Sequence, residues 1–233
     1  MSLDGKIVGA YLPTEIGMAS QRQYYNLMLG PDRHYRDHKG FMLGRVSSED
    51  NFTHYRKPEL DESAAPVPEG DFIAVADAPM HYLSIDPSGV LAWKKNEITY
   101  FDTTAHVVEI LSGKASNAYK DFLRRKRISY IIAGDDKLDL ELAVRKIGEI
   151  FGMDEIVLGG GGGINWSFVQ AGLCDELSIV LTPAADGRKG AQTLFEADER
   201  YTAAIPTGFK LKQTRLLDDG SLWLRYAVIG PIE

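Results

Sequence analysis

The 233-residue chain holds a single cysteine, Cys174, and only five histidines. One thiol excludes an internal disulfide and any metal site built from several cysteines, and it is the usage of a reducing compartment. The chain is also short of positive charge: 26 lysines and arginines face 33 aspartates and glutamates, for a formal charge of −7. No non-specific nucleic-acid surface or anionic-membrane surface is expected, so an anionic ligand has to be held by a local arrangement of donors. No apolar run approaches the roughly 18 residues of a membrane span and no signal-peptide pattern is present, so the cytoplasm is the expected location. Glycine is plentiful, at 23 residues, and 44% hydrophobic content is enough to bury a core as one domain over residues 1–233.

The second half alternates short β-branched runs with helical patterns. His106–Leu111 and Ile128–Ala133 are expected strands, and between them Ser116–Lys126 is a helix capped by Ser116 with a basic last turn that suits the helix dipole. Leu140, Val144, Ile147 and Phe151 recur at helical spacing, and Gly152 stands where a C-terminal cap belongs. Glu155–Leu158 is again a strand, Ile164–Ala171 a helix ended by Gly172, and Leu177–Thr182 a strand. This alternation predicts an α/β fold with right-handed crossovers and a largely parallel sheet covered on both faces. Phe209–Leu216 and Leu222–Ile229 flank Asp218-Asp219-Gly220, which predicts a closing antiparallel hairpin at the sheet edge.

The first half is less regular. Lys6–Leu12 and Gly40–Leu43 are expected strands with a helix within Ser20–Leu29 between them. Tyr55–Gly70 has the proline, glycine and acid content of a loop, and Asp71–Asp77, His81–Ile85 and Ile98–Phe101 are expected as short strands of an inserted meander spanning about residues 55–101.

Five glycines, Gly159 to Gly163, stand where a strand ends and a helix begins, the edge at which open α/β sheets bind ligands. Without side chains the backbone approaches a pyrophosphate closely, and the N–H groups opening the next helix supply donors and a favourable dipole. A merely flexible turn would lose backbone entropy on five glycines to no purpose, which favours phosphate binding. Neither a Walker A loop nor a Gly-x-Gly-x-x-Gly fingerprint is present, since Ile164 and Asn165 break the latter.

Gly160-Gly161-Gly162-x-Ile164-Asn165-Trp166-Ser167, followed by Ala171-Gly172-Leu173-x-Asp175-Glu176-Leu177, resembles the reductase domain of the bifunctional riboflavin-pathway deaminase-reductase and its stand-alone relatives. Ser2-Leu3-Asp4-Gly5-Lys6-Ile7 is similar to that family's opening, and Leu43-Gly44-Arg45-x-Ser47 to its phosphate-contacting turn. Glu49-Asp50-Asn51-Phe52-Thr53 resembles an Asp-Asn-Pro element near the substrate, with Phe52 in place of the proline, and Gly159 stands where many members carry glutamate. The His-x-Glu and Pro-Cys-x-x-Cys motifs of a deaminase do not occur in the chain.

The resemblance implies a dihydrofolate-reductase-like fold, a homodimer whose hairpin edge is paired or covered, and NADPH-dependent reduction of a ribosylaminouracil phosphate to its ribityl form. A reductase of another heterocycle or a pterin, and a nucleotide-binding protein without chemistry, are the other readings. The resemblance implies cofactor contacts at Gly44, Arg45, Ser47, Gly160, Gly161, Gly162, Ile164 and Asn165. Asp4 and Asp50 are the candidates for proton donor or water-orienting group, although the first also suits a plain turn and the second a solvated loop. Asn51, Arg56 and Lys57 are candidate substrate contacts, the two cations for a phosphate. Ser112-Gly113-Lys114 follows a strand, and no acidic residue stands between Ser112 and Asn117, so Ser112 and Lys114 are expected at the 2′-phosphate that separates NADPH from NADH. No metal is expected: His34 and His38 are one helical turn apart but lack a third ligand. Cys174 is expected to be packed rather than nucleophilic, and Trp93 to shape a pocket.

Overall fold

A computed structural model describes residues 1–198 and 203–232. In chain order the elements are helix α1 (Glu15–Met28), strand β1 (Gly40–Gly44), short helix α2 (Arg45–Ser48) running into a π-helical turn (Glu49–Thr53), β2 (His81–Ile85), β3 (Glu97–Tyr100), β4 (Thr103–Leu111), α3 (Asn117–Arg125), β5 (Ser129–Ile132), α4 (Leu140–Phe151), β6 (Val157–Gly160), α5 (Gly162–Gln170), β7 (Glu176–Leu181), β8 (Thr207–Leu216) and β9 (Leu222–Pro231). They fall into two compact units, Asp37–Gly159 and the combination of Met1–Arg36 with Gly160–Glu233. No helix among the described residues is long and apolar enough to cross a membrane.

The unit Asp37–Gly159 is built on a mostly parallel sheet. β1, β2 and β4 pair in parallel with β6 beside β1, while β5 (parallel) and β3 (antiparallel) share the other edge of β4. Phe41, Leu83, Val107, Val108, Ile110 and Ile131 are sealed from solvent, as strands covered on both faces require. The helices follow their sequence signals. Ser116 caps α3 by accepting from the Tyr119 N–H, and Tyr119, Phe122 and Leu123 are buried. Asp139 caps α4, Ala143, Ile147 and Phe151 are buried at a spacing of four, and Gly152 closes the helix in the left-handed conformation.

Two expectations in this unit give way. His81–Ile85 is no peripheral meander: it lies between β1 and β4 and is buried at every position. The polar His81 and Ser84 disguise it, because an apolar run is what usually marks a central strand. Residues 71–77 contribute one bridge, Phe72 to Tyr130, and no strand.

In the other unit β7, β9 and β8 form an antiparallel sheet in that order. β7 therefore leaves the parallel sheet that strand–helix alternation predicts for it, and the hairpin β8–β9 pairs with β7. Cross-strand register puts Val180 and Trp223 on one face, where they pack with Leu217 against Tyr24 and Leu27 of α1. The expected strand Lys6–Leu12 is also absent. One bridge, Lys6 to Thr193, is followed by turns in which the Ala10 N–H donates to Asp186.

Candidate functional site

Gly44 ends β1 and opens α2 with no side chain capping the helix. Arg45, exposed, lies 4.0 Å from Glu49 one turn on, and Ser47 offers its carbonyl to the Asn51 amide at 2.7 Å. The chain then widens into the π-helical turn that carries Asp50 and Asn51 outward while Phe52 turns inward against Tyr82, Trp93 and Tyr100. His54 and Tyr55 both adopt left-handed backbone conformations, with φ of 53° and 55°. The Tyr55 hydroxyl donates to Asp50, which raises the phenol's pKa, and Arg56 Nε donates to the Thr53 carbonyl at 2.9 Å. One exposed stretch thus collects Asp50, Asn51, Arg56 and Lys57, the residues expected at the substrate.

Beneath it lies a polar layer that sequence reasoning missed. Ser48 Oγ is 2.7 Å from the Tyr82 hydroxyl and 3.0 Å from Ser84 Oγ, and Ser84 pairs in register with Glu109. Glu109 is fully buried and accepts from the Trp93 indole, so Trp93 is a core residue holding a carboxyl group. Burial pushes the Glu109 carboxyl well above the usual range, with the nearby Asp86 carboxyl adding to it. Asp86, at the end of β2, is also raised by burial, and it accepts from the N–H groups of Val90 (2.5 Å) and Leu91 (3.0 Å). No motif would have found this layer; its one signal is acidic residues placed in or at the ends of β-branched runs.

At the end of β4, Ser112 is 1% exposed. Its hydroxyl donates to the Pro87 carbonyl at 2.8 Å and accepts from the Lys114 N–H at 3.3 Å. The Ser112 side chain therefore shapes the turn from inside, and Lys114 is the residue presented at the surface.

In the other unit the glycine turn joins β6 to α5. Gly160 and Gly161 have φ of 109° and 105°, a conformation closed to ordinary side chains, and Gly161 opens α5 with no side-chain cap. Gly162 is required for a different reason, since a Cβ there would lie 2.4 Å from the Thr193 carbonyl. Asn165 ties the first turn of α5 to the Leu194 carbonyl at 3.0 Å, and Ile164 is half-buried beside it. A helix mouth with positive dipole, no capping side chain and no Cβ at its first positions fits a phosphate group.

Asp4 is in the same unit, and both its oxygens are engaged. Ser2 Oγ donates at 2.6 Å, and the N–H groups of Asp186 and Gly187 donate at 3.0 and 2.9 Å. The serine bond first, then the two backbone donors, hold this carboxyl well below the usual range. Among the described residues no group of three or more His, Cys, Asp or Glu is arranged for a metal. The His34 ring packs against Trp223, and burial pushes the Cys174 thiol up to about 11.

The sequence model of the RibD C-terminal domain matches residues 83–223. The chain belongs to this family. A 2,5-diamino-6-ribosylamino-4(3H)-pyrimidinone 5′-phosphate reductase of Methanothermobacter thermautotrophicus is 29% identical over 106 residues, which are 46% of this chain and 48% of that relative. The riboflavin biosynthesis protein RibD of Actinobacillus pleuropneumoniae is 29% identical over 100 residues, 43% of this chain and 26% of its own. The matches thus span about half, or less, of the curated relatives. Among solved structures, a pyrimidine reductase-like protein of Corynebacterium diphtheriae superposes with a TM-score of 0.61 at 13% identity, covering 98% of this chain and 89% of its own. RibD of Acinetobacter baumannii does so at 0.59 and 18% identity, over 97% of this chain and 55% of its own. The RibD C-terminal domain fold and the expected dihydrofolate-reductase-like α/β architecture are thus in agreement.

Proposed function

We propose that this RibD-type domain reduces the ribosylamine of an aminopyrimidine ribosyl phosphate to the ribitylamine, with NADPH as the electron donor. The observation that carries the reading is the uncapped glycine turn opening α5 in a chain of this family. When bound, NADPH supplies the hydride taken up at C1′ of the substrate. As the C1′–O4′ bond opens, O4′ must gain a proton, so the protein has to place an acid or an ordered water there. Asp50 suits that role, since it is exposed and the Tyr55 hydroxyl orients it. Asp4 is held ionised by three donors and positions the turn it belongs to. The glycine turn, with Asn165 fixing its shape, holds the pyrophosphate. Gly44, Arg45 and Ser47 are further cofactor contacts, and Lys114 serves the 2′-phosphate. Asn51, Arg56 and Lys57 serve the substrate, the two cations its 5′-phosphate.

The test is NADPH oxidation at 340 nm with the diaminopyrimidinone and the aminouracil ribosyl phosphates side by side, against pterins as controls. Turnover of either pyrimidine with a ribityl product by mass spectrometry supports the proposal. Oxidation with pterins alone would overturn it.

A further inference from the structure

Among the described residues, four other than glycine have left-handed backbones: His54, Tyr55, Phe101 and Arg127. Three of them end something. Phe101 is the first residue of the two-residue loop between β3 and β4, where hairpin twist asks for positive φ. Arg127 follows Lys126, the C-cap of α3, and His54 caps the π-helical turn. Tyr55 ends no element, and at 62% exposure its ring gains little from burial that would offset the strained backbone. Strain that no local packing compensates marks a place where function fixes the conformation.

The side chain is nonetheless held. Its hydroxyl donates to the Asp50 carboxylate across the π-helical turn, and the Thr53 carbonyl between them takes both the Arg56 N–H and Arg56 Nε, at 3.3 and 2.9 Å. The result is a flat aromatic face open to solvent and anchored at its far end. It is flanked in sequence by a carboxylate, a carboxamide and two cations.

We infer that Tyr55 is the stacking platform for the substrate's heterocycle, a planar, hydrogen-bonding ring with an anionic tail, and that its left-handed backbone aims the ring for that purpose. The inference rests on the reductase reading above. Stacking needs only a π-face, so the platform is indifferent to the substituents of the pyrimidine.

Three variants test it: Tyr55→Gly, Tyr55→Ala and Tyr55→Phe, each measured for melting temperature, for KM of both substrates and for binding of the ribitylaminopyrimidine product by calorimetry. Tyr55→Gly removes the strain with the ring, so its melting temperature should rise while KM for the pyrimidine rises ~10-fold or more and KM for NADPH stays put. Tyr55→Ala should show the same KM split. Tyr55→Phe should keep product affinity within ~3-fold, since the face remains, while kcat falls because Asp50 has lost the hydrogen bond that orients it. Wild-type turnover with unchanged pyrimidine KM and product affinity in Tyr55→Ala and Tyr55→Gly would overturn this assignment alone. A wild type that neither binds nor reduces any aminopyrimidine phosphate would overturn the reductase reading, and the platform with it.

Discussion

Asp4 and Asp50 both precede a small or polar residue on a short irregular segment, and only their surroundings separate them. Asp4 commits its oxygens to Ser2, Asp186 and Gly187, and its pKa falls accordingly. A carboxyl lowered on folding stabilises the protein above its unfolded pKa and loses that contribution as pH falls through the folded value. Asp4→Asn should therefore lower the melting temperature near neutrality and converge with the wild type in strong acid, with kcat little changed. Asp50→Ala should do the opposite, lowering kcat by ~10²-fold with the melting temperature intact. Normal turnover in Asp50→Ala would remove it from the chemistry. Lys114 and Ser112 divide in a similar way. With Ser112 turned inward, the proposed 2′-phosphate contact falls to Lys114 alone. Lys114→Ala should cost NADPH at least tenfold in kcat/KM, the equivalent of a charge-assisted contact of ~1.5–3 kcal/mol, and cost NADH little. Ser112→Ala should weaken both cofactors alike. What the residue pattern conveyed was the type of group and its segment. Which oxygen is already occupied depends on partners as far away as Asp186, and no local pattern encodes them.

At the scale of elements, the helices were legible because capping and periodicity are local. Ser116, Asp139 and Gly152 each stand where the structure uses them. The strands were less so. Glu176-Leu177-Ser178-Ile179 alternates polar and apolar, a pattern common in antiparallel sheets, whereas the strand–helix rhythm points to the parallel sheet that β7 does not join. β2 fails the other way, since its polar residues serve the buried layer around Glu109. That layer makes a prediction of its own. A carboxyl whose pKa is raised on folding gives full stability below its unfolded pKa and costs stability as pH rises towards the folded value. Glu109→Gln mimics the protonated form, so its advantage in melting temperature over the wild type should be small at pH 5 and grow towards pH 8. A difference independent of pH would mean that Glu109 titrates normally. The glycine turn is testable at the same scale. Gly161→Val should abolish NADPH binding but also strains a φ of 105°. Gly163→Ala avoids that difficulty, because its Cβ would come no closer than 3.9 Å to the Glu196 carbonyl. It should weaken NADPH several-fold in a fluorescence titration with the melting temperature unchanged or slightly higher. Unaltered affinity in both would take the phosphate away from this turn.

For the whole molecule, the expectation from sequence is a homodimer made through the edge of the closing hairpin, and the structure suggests a different use of that hairpin. β8 is an edge strand, but register breaks at Gly208/Phe209 and at Leu211/Gln213 interrupt it, and bulged edges resist pairing with a second strand. The faces of the sheet differ more than its edges. Following the register, Trp223 and Val180 point towards α1, whereas Leu211, Leu216, Leu222, Leu224, Ile179 and Leu181 share the opposite face. Leu211 and Leu216 on that face are 54% and 70% exposed, an apolar cost that a monomer has no reason to carry. We therefore expect the chain to dimerise through this face, with a twofold axis that sets the same leucines of two copies against each other. Light scattering at micromolar concentration should give twice the mass of the 25.8 kDa chain. Replacing Leu211 and Leu216 together by lysine sets like charges against each other across the axis while leaving the Trp223 core untouched, so the double variant should run as a folded monomer. A wild type that is monomeric at that concentration would refute the dimer, and a double variant that stays dimeric would move the interface elsewhere on the molecule.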